Sequence, residues 1–256
     1  MRSPANAGVV IPSYREADNI AALIEAIVAG LPRGHVVVVD DSPDLATVDA
    51  VERLKLPQIQ VVHRDSKGGR GSAVLEGMRL LLQQGCERIV EMDADFSHPP
   101  QQVPELLARA STDGIDLLIA SRYLPGSRIT NWPLSRRLFS RASNLFARAV
   151  LRVPVHDYTN GFRAYSQPAA QSIVEHCGHL GRGFISLSEI LVSCYYRGFK
   201  VAEVPTIFTN RIRGESSLNP AEITNALVGL YRIFWLKREL QGDKWPIGNG
   251  QSNKSG

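Results

Sequence analysis

Four consecutive valines, Val36 to Val39, constrain the fold more than any other feature of this chain. A β-branched run without polar alternation suits a strand buried on both faces, and such strands belong to parallel sheets covered by helices on each side. The rest of the first half repeats that logic. Short apolar runs at Gly8–Ile11, Ile59–Val62, Arg88–Met92 and Leu117–Ala120 read as strands. Between them, Asn19–Ala29, Leu45–Leu54, Ser72–Gln84 and Pro104–Ala110 read as helices. Alternation of β and α at this spacing predicts an α/β fold, a parallel sheet covered by helices on both sides.

The second half is less regular. Leu134–Leu151 reads as a long basic helix, Gly161–Tyr165 as a strand, and Pro168–His176 and Leu187–Tyr196 as helices. Val201–Val204 is a further strand, and Asn219–Leu240 a C-terminal helix. One domain over residues 8–240 accommodates all of this, and the polar stretch 241–256 reads as a disordered tail. No apolar run approaches the length of a spanning helix. The three cysteines, Cys86, Cys177 and Cys194, make no disulfide framework, which fits a reducing, cytoplasmic setting. The formal charge of +4 permits an anionic partner without choosing one.

In open parallel sheets, ligands bind beyond the carboxyl ends of the strands. Those ends carry Pro12-Ser13-Tyr14-Arg15-Glu16, then Asp40-Asp41-Ser42-Pro43-Asp44, then Asp93-Ala94-Asp95, then Ser121-Arg122-Tyr123. Asp93 and Asp95 are the strongest pair: two carboxylates two residues apart can face one side and offer hard oxygens to Mg²⁺ or Mn²⁺ bridging a diphosphate. The competing reading is a loop that merely caps a helix. Ser42-Pro43 reads as a helix N-cap followed by proline, leaving Asp40 open to a base or ribose. Ser13-x-x-Glu16 has the form of a capping box, and Tyr14 is able to stack on a base or simply pack. Lys67-Gly68-Gly69-Arg70-Gly71-Ser72 reads first as a flexible turn opening a helix, second as a border of a phosphate pocket. His176-Cys177-Gly178-His179 has too few ligands for zinc.

The helix Leu134–Leu151 and the two residues after it hold Arg136, Arg137, Arg141, Arg148 and Arg152 among bulky apolar residues. That composition suits either a membrane interface or an ordinary solvated basic face. Trp132-Pro133 before it suits an interfacial anchor. Leu227, Leu230, Tyr231, Phe234 and Trp235, with Lys237 and Arg238, offer a second interfacial segment.

Taken together, VVIPSYREADNI, VVVDDSPD, KGGRGSAVLEGM, EMDADFSHPP, IASRYLPGS, NWPLSRRLFSRASN, NGFRAY and EVPTIFTNRIRGESSL resemble the polyprenol-phosphate (dolichol-phosphate) mannose synthases of glycosyltransferase family 2. The resemblance runs from residue 9 to about residue 218. It implies a GT-A fold, a Rossmann-like, mainly parallel sheet flanked by helices, with C-terminal acceptor-side helices. It also implies that Pro12, Tyr14 and Glu16 line the nucleotide pocket, that Val38 and Asp40 hold base and ribose, and that Asp93, Ala94 and Asp95 meet the metal and diphosphate. Arg122, Arg136 and Ser140 would receive the acceptor phosphate, and Arg211 with Arg213 would close over the donor phosphates. Two positions depart from the family pattern. Ser97 stands where a glutamine is found, and Gly214-Glu215-Ser216-Ser217 lacks the usual terminal lysine.

The implied activity is inverting transfer of a sugar, with GDP-mannose as the first donor to test, to a polyprenyl or dolichyl phosphate at the cytoplasmic membrane face. An acceptor phosphate is already a competent nucleophile, so no general base is required. The alternatives are transfer of glucose or N-acetylhexosamine from a UDP-sugar, and a non-catalytic sugar-nucleotide-binding scaffold. No nucleic-acid partner is expected.

Overall fold

The computed structural model describes residues 6–66, 68–180, 184–210 and 220–242. The first half alternates β1 (Ala7–Ser13), α1 (Ala17–Gly30), β2 (His35–Asp40), α2 (Ala46–Glu52), β3 (Ile59–His63), α3 (Arg70–Gln83), β4 (Arg88–Glu91), α4 (Val103–Thr112) and β5 (Leu117–Ser121). There follow β6 (Arg128–Thr130), α5 (Leu134–Leu151), β7 (Arg163–Ser166), α6 (Gln167–His176), α7 (Phe184–Tyr196), β8 (Val201–Pro205), β9 (Ile207–Thr209) and α8 (Pro220–Leu240).

Seven strands form one sheet in the order β3-β2-β1-β4-β7-β5-β8. β1, β2, β3 and β4 run parallel, as do β5 and β8, whereas β7 lies antiparallel between β4 and β5. The valine run explains the centre of the sheet. Val37 and Val39 turn to one face and join Val10, Val74, Met78 and Leu81, while Val36 and Val38 turn to the other and join Ile11, Ile20, Leu23 and Ile24. The period of two along a strand feeds both cores from one apolar run. Gly77 lets α3 lie close on β1, because a Cβ there would collide with Val10.

A two-stranded parallel ribbon, β6 with β9, stands apart from the main sheet. It holds the segment entering α5 against the loop after β4, since Thr209 N–H donates to the Ser97 carbonyl at 3.0 Å. α8 packs on α7 and α5. The expected disordered tail, residues 241–256, lies outside the described residues apart from Gln241 and Gly242.

Candidate active site

The carboxyl ends of β1, β2, β4 and β5 converge on one edge, as the parallel topology requires. At the end of β4, Asp93 is gripped from the side by Arg70, the first residue of α3. Arg70 Nε donates to Asp93 Oδ1 at 2.9 Å, its Nη2 lies 2.8 Å from the same oxygen, and its Nη1 donates to Glu91 at 2.5 Å. Burial opposes charge on Arg70, yet the carboxylates of Asp93 and Glu91 outweigh it and hold the guanidinium above its ordinary pKa. Burial likewise opposes ionisation of Asp93, but Arg70 and then His98 reverse the sign and keep its carboxyl well below the usual range. Asp93 is therefore ionised at neutral pH. Glu91 is fully buried and takes a second bond from Tyr165 at 2.6 Å, so the whole triad is fixed.

The guanidinium of Arg70 crosses the face of Gly161. A Cβ at that position would collide with Arg70 Nη2, so the glycine of Asn160-Gly161-Phe162 is what lets the arginine reach Asp93. Sequence reasoning favoured a flexible turn for the Gly-rich segment and missed this role. The available signal was the pairing of a lone arginine in one Gly-rich loop with a small residue in another. Lys67, in the same segment, lies outside the described residues.

Asp95 Oδ1 accepts the Ser97 N–H at 3.0 Å, closing a tight loop in which Phe96 has φ +56°. His98 is buried, with Nε2 3.5 Å from Asp93 Oδ2, and its ring stacks on Phe162 and meets the edge of Phe208.

The structure corrects the reading of the β2 loop. Ser42 is no N-cap and Pro43 no first helical residue: α2 begins at Ala46, with Leu45 at its N-cap. Ser42 Oγ donates to Asp40 Oδ1 at 2.7 Å and accepts the Arg15 N–H at 2.7 Å, tying two strand-end loops together. Asp40 is fully buried, with Oδ2 receiving the Ser42 N–H and facing His63. It organises the loop from within and is not open to a base or ribose. Val38 is likewise sealed in the core. Asp41 holds Arg64 through both carboxylate oxygens, at 2.5 and 2.7 Å, and receives the Gly69 N–H at 2.9 Å.

The capping box does not form either. Ser13 lies in β1 with its Oγ buried and unpaired, and Glu16 is the N-cap of α1 without a side-chain cap bond. Glu16 accepts instead from Asn19 at 2.8 Å. Arg15 has φ +60°, the turn that carries Tyr14 to the surface, while Pro12 is half-buried. Ala94 is buried between the two aspartates.

Opposite these carboxylates lies a basic, aromatic wall. Arg122 is buried, with Nε and Nη2 on the two oxygens of Asp157 at 2.8 and 2.7 Å and Nη2 also on Thr159 at 2.8 Å. Burial works against both charges, and the pairing overcomes it: Asp157 is lowered and Arg122 raised from their ordinary values. Much of the Arg122 fork is thus already used inside the protein. Arg136 lies over the Trp132 ring at 4.4 Å and donates to Asn210 at 3.2 Å. Ser140 Oγ is bonded to the Tyr123 hydroxyl at 2.6 Å. Trp132 is buried against Phe208 and donates Nε1 to Asn210 at 3.2 Å. It is part of the site wall, not the interfacial anchor expected from its place before the helix. Lys237 is also withdrawn from that role, since it is buried and donates to the Val150 carbonyl at 3.3 Å.

Arg211, Arg213 and Gly214–Ser217 lie outside the described residues, as do the side chains of 220–227, Leu227 among them. Among the described residues, no cluster of three or more His, Cys, Asp or Glu forms a metal cage.

A mainly parallel sheet with acidic strand ends facing a basic wall defines an α/β glycosyltransferase of the GT-A type. The chain belongs to glycosyltransferase family 2, whose profile it matches over residues 8–174. It is 36% identical over 222 residues to polyprenol monophosphomannose synthase of Mycolicibacterium smegmatis, covering 86% of this chain and 83% of that protein. It is 34% identical over 226 residues to undecaprenyl-phosphate mannosyltransferase of Micrococcus luteus, covering 87% and 91%. Among solved structures, glucosyl-3-phosphoglycerate synthase from Mycobacterium tuberculosis, in complex with Mn²⁺, UDP and glucosyl-3-phosphoglycerate, superimposes with a TM-score of 0.64. That match is 20% identical and covers 94% of this chain and 81% of the other, a likeness of fold.

Proposed function

We propose that the protein transfers a hexose, mannose from GDP-mannose in the first instance, to the phosphate of a polyprenyl or dolichyl phosphate, with inversion at the anomeric carbon. The observation that carries this reading is the aromatic bridge His98–Phe208–Trp132. It joins the ionised Asp93 on one side to Arg136 on the other, so a diphosphate-handling end and a phosphate-receiving end share one wall. Relatives named for mannosyl transfer to polyprenol and undecaprenyl phosphate support the acceptor class.

Asp93 and Asp95 fit a divalent cation, Mg²⁺ or Mn²⁺. They supply hard carboxylate oxygens, and one or two carboxylates are the usual protein share of an ion that keeps waters and takes its other ligands from substrate phosphates. Such an ion, when bound, offsets charge on the leaving nucleoside diphosphate. The chain's own residues do the rest. Tyr14 and Glu16, with Pro12, border the nucleotide; Ala94 lets the Asp-x-Asp loop pass close to the diphosphate; Arg70 keeps Asp93 ionised and in place. Arg211 and Arg213 are assigned to the donor phosphates by the family resemblance. Arg136 and Ser140 receive the acceptor phosphate, with Arg122 braced on Asp157 behind them. The phosphate oxygen attacks the anomeric carbon while the sugar–diphosphate bond breaks. One such displacement turns an α-linked donor into a β-linked product.

The acceptor's tail stays in a bilayer, so the enzyme works at a membrane surface, assigned here to the cytoplasmic face. Among the described residues no helix is long and apolar enough to cross a membrane. α5 instead exposes Leu134, Leu138, Phe139, Leu145 and Phe146.

The test is a panel of radiolabelled GDP-mannose, UDP-glucose and UDP-N-acetylglucosamine with polyprenyl phosphate and Mg²⁺ or Mn²⁺, followed by organic extraction. Label from GDP-mannose should enter the organic phase. Release of UDP instead reassigns the donor, and failure of every donor with every lipid phosphate overturns the reading.

A further inference from the structure

The recess beside α5 lies next to the proposed acceptor residues without containing them. Its volume is about 170 Å³, and Tyr123, Arg141, Asn144, Leu145, Arg148 and His156 line it. This is below the roughly 300–1,000 Å³ of sites that enclose a whole small molecule, so it suits a single small group. Its chemistry is one-signed. Arg141 and Arg148 are seven residues apart on one helix, about 10 Å along its axis, and both are exposed. Among the described residues neither forms an ion pair. His156 adds an imidazole whose Nδ1 is held by Glu203 at 2.8 Å, with Nε2 on the opposite edge of the ring. Glu203 is the nearby carboxylate, and it is largely buried beneath His156, where it also receives the N–H groups of His156 and Asp157. The Tyr123 hydroxyl, bonded to Ser140, forms the partition between this recess and the acceptor residues.

The recess also has an orientation. Leu134, Leu138, Arg141, Leu145 and Arg148 follow one another at steps of four, three, four and three, a single stripe along α5. The three leucines of that stripe are 71%, 59% and 69% exposed. Arginines interleaved with exposed leucines on one face match the depth at which lipid phosphates sit above acyl chains.

We propose that this recess binds the phosphate of an anionic phospholipid headgroup, a ligand distinct from the acceptor, and so seats the enzyme on the bilayer in a fixed orientation. The proposal rests on the lipid-phosphate reading above and adds a second, non-reacting phosphate site to it. Paired guanidinium groups suit phosphate because each fork bonds two oxygens.

The experiment compares the full chain carrying Arg141→Gln plus Arg148→Gln with a charge-matched control, Arg33→Gln plus Arg53→Gln, two exposed arginines away from α5. Co-sedimentation with vesicles of phosphatidylcholine alone, and of phosphatidylcholine with phosphatidylglycerol, reads binding. Transfer to polyprenyl phosphate in neutral detergent micelles reads the reaction. The recess variant should bind phosphatidylglycerol vesicles at least tenfold more weakly than wild type, the control no more than about twofold, and micellar KM for acceptor should stay within twofold of wild type. Equal losses in the two variants would mean diffuse electrostatics and overturn the proposal. A raised micellar acceptor KM with unchanged vesicle binding would make the recess part of the acceptor site and overturn it equally. A further arm adds inorganic phosphate or glycerol 3-phosphate at matched ionic strength. Displacement from vesicles by micromolar soluble phosphate identifies a free-phosphate site and also overturns it. Loss of micellar transfer in wild type itself would instead strike the function proposed above.

Discussion

The carboxylate edge of this site, proposed for the donor, and the exposed face of α5, proposed for the lipid side, are built on opposite principles. On the donor side nearly every polar group is spent on a neighbour: Asp40 on Ser42, Asp41 on Arg64 and Gly69, Glu91 on Arg70 and Tyr165. Those residues sit on strand ends that two buried cores hold fixed. On the face proposed for the lipid, α5 buries only Asn144, Ala147 and Leu151 and leaves large apolar residues outside. A surface of that kind is incomplete in water and marks a contact with something apolar. The contrast follows from the substrates proposed. A soluble donor rewards preorganisation, because dipoles fixed beforehand need not reorient during reaction. A lipid acceptor brings its own apolar surroundings, so the protein need only present a complementary face.

The largest effect should come from the donor side. Asp95→Asn, and EDTA on the wild-type enzyme, should each remove transfer by a factor on the order of 10³, since one charge-stabilising contact at a developing anion is worth about 10²–10³ and a shared cation serves several. Binding of the protein to vesicles should not change. Full activity in EDTA would break the donor half of the comparison, and loss of vesicle binding in Asp95→Asn would show that the two sides are not separable.

Next in size is the device that fixes Asp93. Gly161→Ala should displace Arg70 by forcing a methyl group into the path of its guanidinium, and should lower kcat about tenfold or more while raising the Mg²⁺ or Mn²⁺ concentration needed for half-maximal rate. Arg70→Lys should share the metal phenotype, because a single ammonium does not reproduce a grip on two carboxylates. A Gly161→Ala enzyme with wild-type metal response would remove Arg70 from the site.

The two acceptor-side arginines should then separate. Arg122→Ala strands the buried Asp157 carboxylate, which predicts a stability loss of about 3–5 kcal/mol in denaturant titration. Arg136→Ala should leave stability nearly intact and raise acceptor KM roughly tenfold, with donor KM unchanged, since one charge-assisted contact is worth about 1.5–3 kcal/mol. The Arg122–Asp157 pair also sets a pH dependence. The Asp157 pKa is lowered in the folded state, so its contribution is present above the ordinary carboxylate value, about 3.9, and fades as pH falls below it. Asp157→Asn should flatten that acid limb.

Much of the fold could be read from the sequence because apolar runs report burial directly. Val36–Val39 placed β2, and the helical spacing of Leu134–Leu151 predicted α5 with the bounds the structure gives it. Strand direction was not legible: Gly161–Tyr165 reads as a strand, but nothing in an apolar pattern says that β7 runs against its neighbours. The three-residue strands β6 and β9 were missed because runs so short carry no period. At the site, Asp93 and Asp95 were visible as a local pair, whereas Arg70 meets Asp93 across a separation of 23 residues that only the fold closes. Trp132 misled for the same reason: proline and arginines beside it suggested an interface, and its burial depends on Phe208 and Asn210, far along the chain. Ser42-Pro43 misled locally, since a cap sequence is also a good turn, and the Asp40 carboxylate won the hydroxyl.

That hydroxyl supports the smallest and most selective prediction. Ser42→Ala removes the donor to Asp40 Oδ1 and the acceptor of the Arg15 N–H together. Arg15 is the left-handed residue of the turn that carries Tyr14 outward, so loosening it should widen the set of positions Tyr14 explores at the nucleotide. The cost of leaving the part-buried Arg15 N–H and one buried carboxylate oxygen underbonded is about 1–3 kcal/mol, part of which water recovers at the exposed Arg15. Donor KM should therefore rise a few-fold, with acceptor KM and vesicle binding unchanged. Steady-state kinetics with each substrate varied in turn provide the check. A rise in acceptor KM alone would mean that the β2 loop serves the lipid side, and the division between a preorganised donor half and an open acceptor half would fail at its most local point.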